Sequence, residues 1–377
     1  MDERDKRLLN GIQAEFPFAS RPFHALALPL GLSEREVIDR IGALKARRII
    51  RQISAIFDTR SLGYASSLVA MRVRPEHLDA AAAVVNQHPG VSHNYGRNNA
   101  FNLWFTLAVP RASSLEWTVD RLHAMAEADS TRMLPTLRLF KIGLQLDLQG
   151  KSGTEREESR QAGYTEARRP PAGRDGLGPQ DIAAIRELQI DIPLVSEPYR
   201  AMAERMGIPE AALLEIARRL QAEGYLRRMA AVLYHREVGF QANAMGVWVV
   251  PQTRTEEVGT IMGSFRGVSH CYLRPTYPDW PYNIFTMVHG QEPKDCQAVI
   301  DAMAGATGIR EYALLYSTKE YKKVRLQYFT HDLDEWEARV RASLGSSGRA
   351  VAAAGGGGAV RVDPMPPGHR TATSAGA

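Results

Sequence analysis

Two short strings in this chain carry residues able to do chemistry together. His93, Tyr95 and Arg97 form one set, and His270, Tyr272 and Arg274 form the other. Each spaces an imidazole, a phenol and a guanidinium two residues apart, which on a β-strand puts all three side chains on one face of the sheet. A histidine of ordinary pKa, near ~6.5, can hand over a proton at cellular pH. Arginine stays charged in a partly dry site and grips carboxylates through paired bonds. A ligand rich in acid groups, undergoing a reaction that needs a proton, would suit such a face. Solvent would cover it equally well, and a packing role inherited by both strings is the competing reading. Cys271 beside His270 suggests a thiol nucleophile, but adjacent strand residues face opposite sides, so that role is rejected.

The elements that position these strings come in two copies. Asp5 to Phe23 aligns without a gap on Asp181 to Tyr199 at an offset of 176, and the register holds through Gly63 and Gly239. Val91-Ser92-His93 faces Val268-Ser269-His270 at an offset of 177, one indel later. A period this long marks duplication of a whole two-domain unit, not a solenoid. Each copy opens with helical spacing (Leu8, Leu9, Ile12, Phe16; Ile182, Ile185, Leu188). A second helix follows and stops at Gly31 or Gly207, and a third begins in copy one at Ser33, with Glu36 completing a capping box. A β-rich segment, Ile49 to Phe57 or Tyr225 to Tyr234, stands where a wing belongs, giving the winged helix-turn-helix order. The remainder of each copy reads β-α-β-β-α-β, the ferredoxin-like order. The fold class is α+β, with winged helix domains at 1–60 and 179–236 and ferredoxin-like domains at 61–150 and 237–335. A flexible linker is expected at 151–178 and a mostly disordered tail at 336–377, both poor in large apolar residues.

Composition narrows the class. The 377 residues are 44% hydrophobic, enough for several small cores, and no apolar run reaches the roughly 18 residues of a membrane span. The charged opening Met1-Asp2-Glu3-Arg4-Asp5 lacks a signal-peptide core, so the cytoplasm is the expected location. Cys271 and Cys296 are too few for a disulfide framework or a cysteine zinc site, and no resident metal is expected. A net charge of +5 and a pI near 9.2 favour polyanions, whether nucleic acid or a small polycarboxylate.

The helical opening and the βαββαβ unit resemble the Lrp/AsnC family of feast-famine regulators. More specific are Ser92-His93-Asn94-Tyr95-Gly96-Arg97 with Asn102-Leu103-Trp104-Phe105-Thr106, and the run from Ser269 to Tyr282. These resemble the paired subunits of the siroheme decarboxylases, Lrp-like enzymes of heme d1 synthesis and of an alternative heme route, here fused over roughly residues 1–335. The resemblance implies loss of carbon dioxide from two acetates of siroheme, giving 12,18-didecarboxysiroheme, with no added cofactor because iron enters with the substrate. It implies proton-donor roles for His270 and His93, orienting roles for Tyr272 and Tyr95, and carboxylate-holding roles for Arg274 and Arg97. Trp280 and Tyr282, with Tyr277, form an aromatic loop that lies against the macrocycle or packs in a core or subunit interface. Lys319, in the run Tyr316, Lys319, Tyr321, Lys322, Lys323 and Arg325, is expected to hold propionates or to sit on a solvated edge strand. An axial bond from His93 or His270 to the siroheme iron is the alternative to acid catalysis. Asn99 and Phe101 stand where the family pattern often has histidine and tyrosine, which sets the first half apart. The fused arrangement inclines toward the heme d1 route, and further Lrp-like subunits or self-association stay open.

The rival class is a DNA-binding regulator sensing a small ligand. A recognition helix should offer basic or amide groups to base edges and avoid acids. The third helices instead carry Glu34, Glu36 and Asp39, or Glu210 and Glu215, although Arg47, Arg48, Arg51, Arg227 and Arg228 cluster near the wings. DNA binding is the disfavoured expectation.

Overall fold

The structure, a computed structural model, describes residues 1–142, 153–156, 176–234, 242–290 and 292–351. The first copy runs α1 (Glu3–Ala14), α2 (Pro22–Ala27), α3 (Glu34–Ala46), β1 (Ile50–Phe57), β2 (Tyr64–Arg72), α4 (Leu78–Asn86), β3 (Val91–Arg97), β4 (Leu103–Pro110), α5 (Leu115–Met125), β5 (Ser130–Leu134) and β6 (Arg138–Ile142). The second runs α6 (Pro179–Leu188), α7 (Pro198–Met206), α8 (Glu210–Ala222), β7 (Leu226–Leu233), β8 (Ala242–Trp248), α9 (Thr255–Gly263), β9 (Val268–Leu273), β10 (Ile284–Gly290), α10 (Pro293–Thr307) and β11 (Tyr312–Lys323), with α11 (Asp332–Val351) after it.

The capping box at Ser33 forms as the residues require: Glu36 accepts from the Ser33 backbone N–H at 2.7 Å, and the Ser33 hydroxyl accepts from the Glu36 N–H at 3.2 Å. The two helical modules share one core, in which Ile12, Phe16, Phe23 and Leu44 pack with Leu188, Tyr199, Leu213 and Leu220. Among the described residues neither wing strand pairs within its own copy. The wing strands β1 and β7 pair with each other, antiparallel, from Ile50↔Leu233 to Phe57↔Leu226. A lone strand leaves its backbone donors and acceptors unpaired, and the duplicate strand satisfies them.

The ferredoxin-like units join in one sheet of order β5-β2-β4-β3-β11-β8-β10-β9-β6. Each unit lends the end of its last strand to the other. β11 pairs with β8 through Tyr316 and then crosses to β3, with Ser317↔Arg97 through Lys323↔His93. In the first copy β5 pairs with β2, and β6 crosses to β9, with Arg138↔Leu273 through Ile142↔His270. The helices cover one face of each half. Phe105, Leu107 and Val119 pack there in the first copy, and Val258, Ile284 and Ile300 in the second. The opposite faces meet in a core of Ala70, Trp104, Met245, Val247, Phe285 and Trp280.

Three expectations need correction. Strand β11 is central, flanked by β3 and β8, not a solvated edge, because the exchange covers both of its sides. Helix α11 occupies part of the stretch read as a tail from 336. Its Trp336 and Val340 are buried in the first copy's helix-side core, with Trp336 edge-on to His88 at 4.3 Å. Within the stretch read as a linker, Arg156 bridges to Phe265 and the Gly153 carbonyl accepts from Gly267 N–H at 2.9 Å. The linker and tail readings over 157–175 and 352–377 fall outside the described residues. Among the described residues no helix is long and apolar enough to cross a membrane.

Candidate active site

Strands β3 and β9 present the two His-x-Tyr-x-Arg strings as equivalent rows. In each, one extra residue bulges just before the histidine: the ladder skips Ser92 between Val91 and His93, and Ser269 between Val268 and His270. The bulge turns the following residues over. Val91 and Val268 join the helix-side cores, whereas Tyr272 joins the core between the sheets. Cys271 faces α9, its Sγ 3.5 Å from the Gly259 carbonyl, and Asn94 donates to Ala82 O at 3.2 Å on the corresponding side of β3. The imidazole lies near-parallel to the phenol in both rows, at 6.3 Å and 30° for His93–Tyr95 and at 5.9 Å and 26° for His270–Tyr272.

The arginines close each row at the strand exchange. Arg97 donates from Nη1 to Leu315 O at 2.9 Å, and Arg274 donates from Nη1 to Leu134 O. Each guanidinium therefore ties to a backbone carbonyl of the other copy, near the point where that copy's chain crosses over. Tyr95 and Tyr272 lie beneath them, with ring centroids 5.7 and 4.7 Å from the guanidinium carbons. Burial pushes both guanidinium groups down to about 10, and both Nε–H groups are buried without a hydrogen-bond partner. Those are the groups an incoming acid oxygen would satisfy.

Burial also pushes His93 and His270 down to about 4, so both rings are neutral near pH 7 before anything binds. The neighbouring charges act in the same direction: Lys323 and Arg51 on His93, and Arg274, His93 and Lys141 on His270. The charges that bear on both imidazoles are cationic, and Glu320 of β11 stands opposite Tyr95. A histidine of ordinary pKa, near ~6.5, was the expectation; the desolvated ring is the correction.

The remaining candidates divide. Trp280 is 2% exposed and packs on Phe101 and Trp104 at 5.6 and 5.2 Å and on Tyr282 at 5.0 Å, so it belongs to the core between the halves. Tyr277 donates to Met133 O at 2.6 Å, and Asp279 receives two bonds from Arg132 at 2.9 and 3.0 Å, which bolts the aromatic loop of the second copy onto the first. Phe101, at the position noted as a departure, packs against Trp280 instead of facing the rows. Lys319 is not in the site. It pairs with Gly96, shares that residue's helix side, and its Nζ binds Asp79 at 2.8 Å. The β11 residues opposite the row are Ser317, Glu320 and Lys323, set against Arg97, Tyr95 and His93. Opposite the second row stand Leu139 and Ile142, set against Tyr272 and His270. The strand bulges in β11 displace the simple alternation that would have pointed Lys319 inward. Lys323 and Arg51 were visible only as members of basic runs.

A duplicated winged helix joined to two strand-exchanged ferredoxin-like units defines a fused Lrp/AsnC-type protein. A family model described as an AsnC-like ligand binding domain matches residues 61–141 and 237–322, and one described as a siroheme decarboxylase NirDL-like HTH domain matches 5–51 and 181–227. The siroheme decarboxylase of Hydrogenobacter thermophilus is 40% identical over 339 residues, covering 89% of this chain and 97% of that protein. The siroheme decarboxylase beta subunit of Methanosarcina barkeri is 46% identical over 143 residues, 38% of this chain and 94% of that subunit. The crystal structure of the siroheme decarboxylase NirDL with an iron-uroporphyrin III analogue superposes with a TM-score of 0.72 at 34% identity, covering 91% of this chain and all of that one. The chain belongs to the siroheme decarboxylase family.

Proposed function

We propose that this chain removes carbon dioxide from two acetate side chains of siroheme, using the two rows as one composite site. In each step the bond between the carboxyl carbon and the methylene carbon breaks, and its electron pair passes to a carbon conjugated with the macrocycle. That carbon then takes a proton and becomes a methyl group. The tetrapyrrole is its own electron sink, so the reading needs no added cofactor. Arg97 and Arg274 offer their unpartnered Nε–H groups to carboxylates, His270 and His93 deliver protons, and Tyr272 and Tyr95 hold the imidazoles in place. The observation that carries the reading is the same bulged His-x-Tyr-x-Arg row in each half, with the arginine Nε–H of both rows buried and without a hydrogen-bond partner. Substrate carboxylates bring negative charge beside the cations, which raises the histidines back toward protonation. The two buried, free thiols of Cys271 and Cys296 suit a reducing compartment, and we place the activity in the cytoplasm.

The regulator reading loses support from the helices meant to read DNA. On α3, Arg35 pairs with Asp39 at 3.0 Å, and Arg40 pairs with Asp2 and Asp5 at 2.8 and 2.7 Å. On α8, Arg218 binds Phe18 O at 2.8 Å and Arg219 pairs with Asp181. The wing strands are occupied by each other. The test is anaerobic incubation with siroheme, followed by absorbance and mass. Loss of one and then two carbon dioxide units is expected; siroheme recovered intact, with no spectral change on mixing, overturns the reading.

A further inference from the structure

The two rows differ behind the histidine. In the first copy the Ser92 hydroxyl meets His93 Nδ1 at 3.0 Å. In the second, the Ser269 hydroxyl meets His270 Nδ1 at 2.8 Å and also His289 Nε2 at 2.7 Å, with Met287 O farther away at 3.3 Å. His289 lies on β10, two residues beyond Met287, which pairs with His270. In the first copy the matching position on β4 is Ala108: Arg97 N–H donates to Asn102 O as Arg274 N–H donates to Asn283 O, and six residues after each asparagine stand Ala108 and His289. Ser269 is 1% exposed, so its hydroxyl is served by these protein groups and not by bulk water.

We propose that His289 is a positioning and proton-relay residue for His270, acting through the Ser269 hydroxyl, so that the second half contains a three-member chain absent from the first. The proposal rests on the decarboxylase reading. A serine hydroxyl has one proton to give and two lone pairs to receive. Giving that proton to His270 Nδ1 while accepting from His289 Nε2–H satisfies both short contacts. It also fixes the His270 proton on Nε2, the ring nitrogen turned away from Ser269. When the substrate carbon takes the Nε2 proton, Ser269 passes its proton to Nδ1 and receives one from doubly protonated His289. The net change moves one proton from His289 to carbon, and every ring ends neutral. Reprotonation of Nε2 after product leaves runs the chain backward and reloads His289. A relay of this kind lets a desolvated imidazole deliver a proton without itself having to carry a charge in the resting protein.

The experiment uses full-length protein with His289→Ala, His289→Gln and Ser269→Ala, each checked for folding by circular dichroism. Three quantities are measured: siroheme affinity by absorbance titration, the anaerobic single-turnover rate, and the ring 15N shifts of His270. The expected result is a rate loss on the order of 10–100-fold in His289→Ala and Ser269→Ala, with affinity within about twofold. The 15N shifts should report an Nε2–H form in the parent protein and a tautomer mixture in both variants. His289→Gln, which donates an N–H but transmits no proton, should restore the tautomer and not the rate. Parent-like rates in all three variants, or an Nδ1–H form of His270 in the parent, overturn the proposal. Full rate recovery in His289→Gln overturns the relay. A parent protein that leaves siroheme unchanged defeats the decarboxylase reading itself, whereas the 15N result judges the hydrogen-bond chain independently.

Discussion

A histidine pushed by burial down to about 4 is a poor acid reservoir, yet the proposed reaction asks His93 and His270 for a proton. Cations lower them and substrate carboxylates would raise them, so ligand binding and protonation reinforce each other. Replacing His270 with Ala should cut single-turnover decarboxylation by about 10²-fold or more while siroheme still binds, as read by rapid-quench mass analysis. Position along β11 gives a contrasting pair. Lys319→Ala, which removes an exposed bond to Asp79 and a contact over the Tyr321 ring, should leave turnover within about twofold. Lys323→Glu places an acid opposite His93 and should weaken siroheme affinity on the order of tenfold, measured by titration. The His-x-Tyr-x-Arg spacing made the row legible in the sequence because strand alternation is a local rule. Lys319 was misread because bulges in β11 shift the face, and a bulge depends on the partner strand. The contact between Ser269 and His289 went unseen for the same reason, since it crosses from one strand to the next.

The elements tell a similar story about what a local pattern encodes. Helix positions, the capping box at Ser33 and the βαββαβ order followed from periodicity, capping residues and Gly breaks, all of which act within a few residues. The exchange of β6 and β11 did not, because hydrophobic alternation says which face is buried and not which copy supplies the neighbour. One glycine shows how the exchange is accommodated. Phe140 of β6 lies directly against α9 at Gly259, where an added Cβ would come within 2.3–2.6 Å of three Phe140 ring carbons. Gly259→Val should displace β6 and cost on the order of 2 kcal/mol, seen as a lower denaturation midpoint. Helix α11 hid in the sequence because Gly and Ala follow close on its few apolar anchors. Trp336→Ala should remove about 3–5 kcal/mol from the first copy's unit, measured by chemical denaturation.

At the scale of the whole molecule, duplication was legible from register alone, whereas the strand exchange by which the two halves close on each other was not. Acid should expose that closure. His88, at about 3, and His93 and His270, at about 4, all sit below the ordinary histidine value because burial disfavours their charged forms. The unfolded chain takes up protons near pH 6.5 that the folded chain refuses. The stability these groups confer is full above that pH and drains away as pH falls toward 4. Unfolding midpoints recorded from pH 7 to pH 4 should fall accordingly, and the His88→Gln variant should flatten the curve.

The exchanged strands have one more consequence. A symmetric dimer of identical subunits must install every substitution twice, once on each side of its axis. Tethering two non-identical copies that interlock through β6 and β11 lifts that constraint, so Ala108 and His289, or Ile142 and Lys323, can be chosen independently. Division of labour between the halves is what the fusion makes available to evolution.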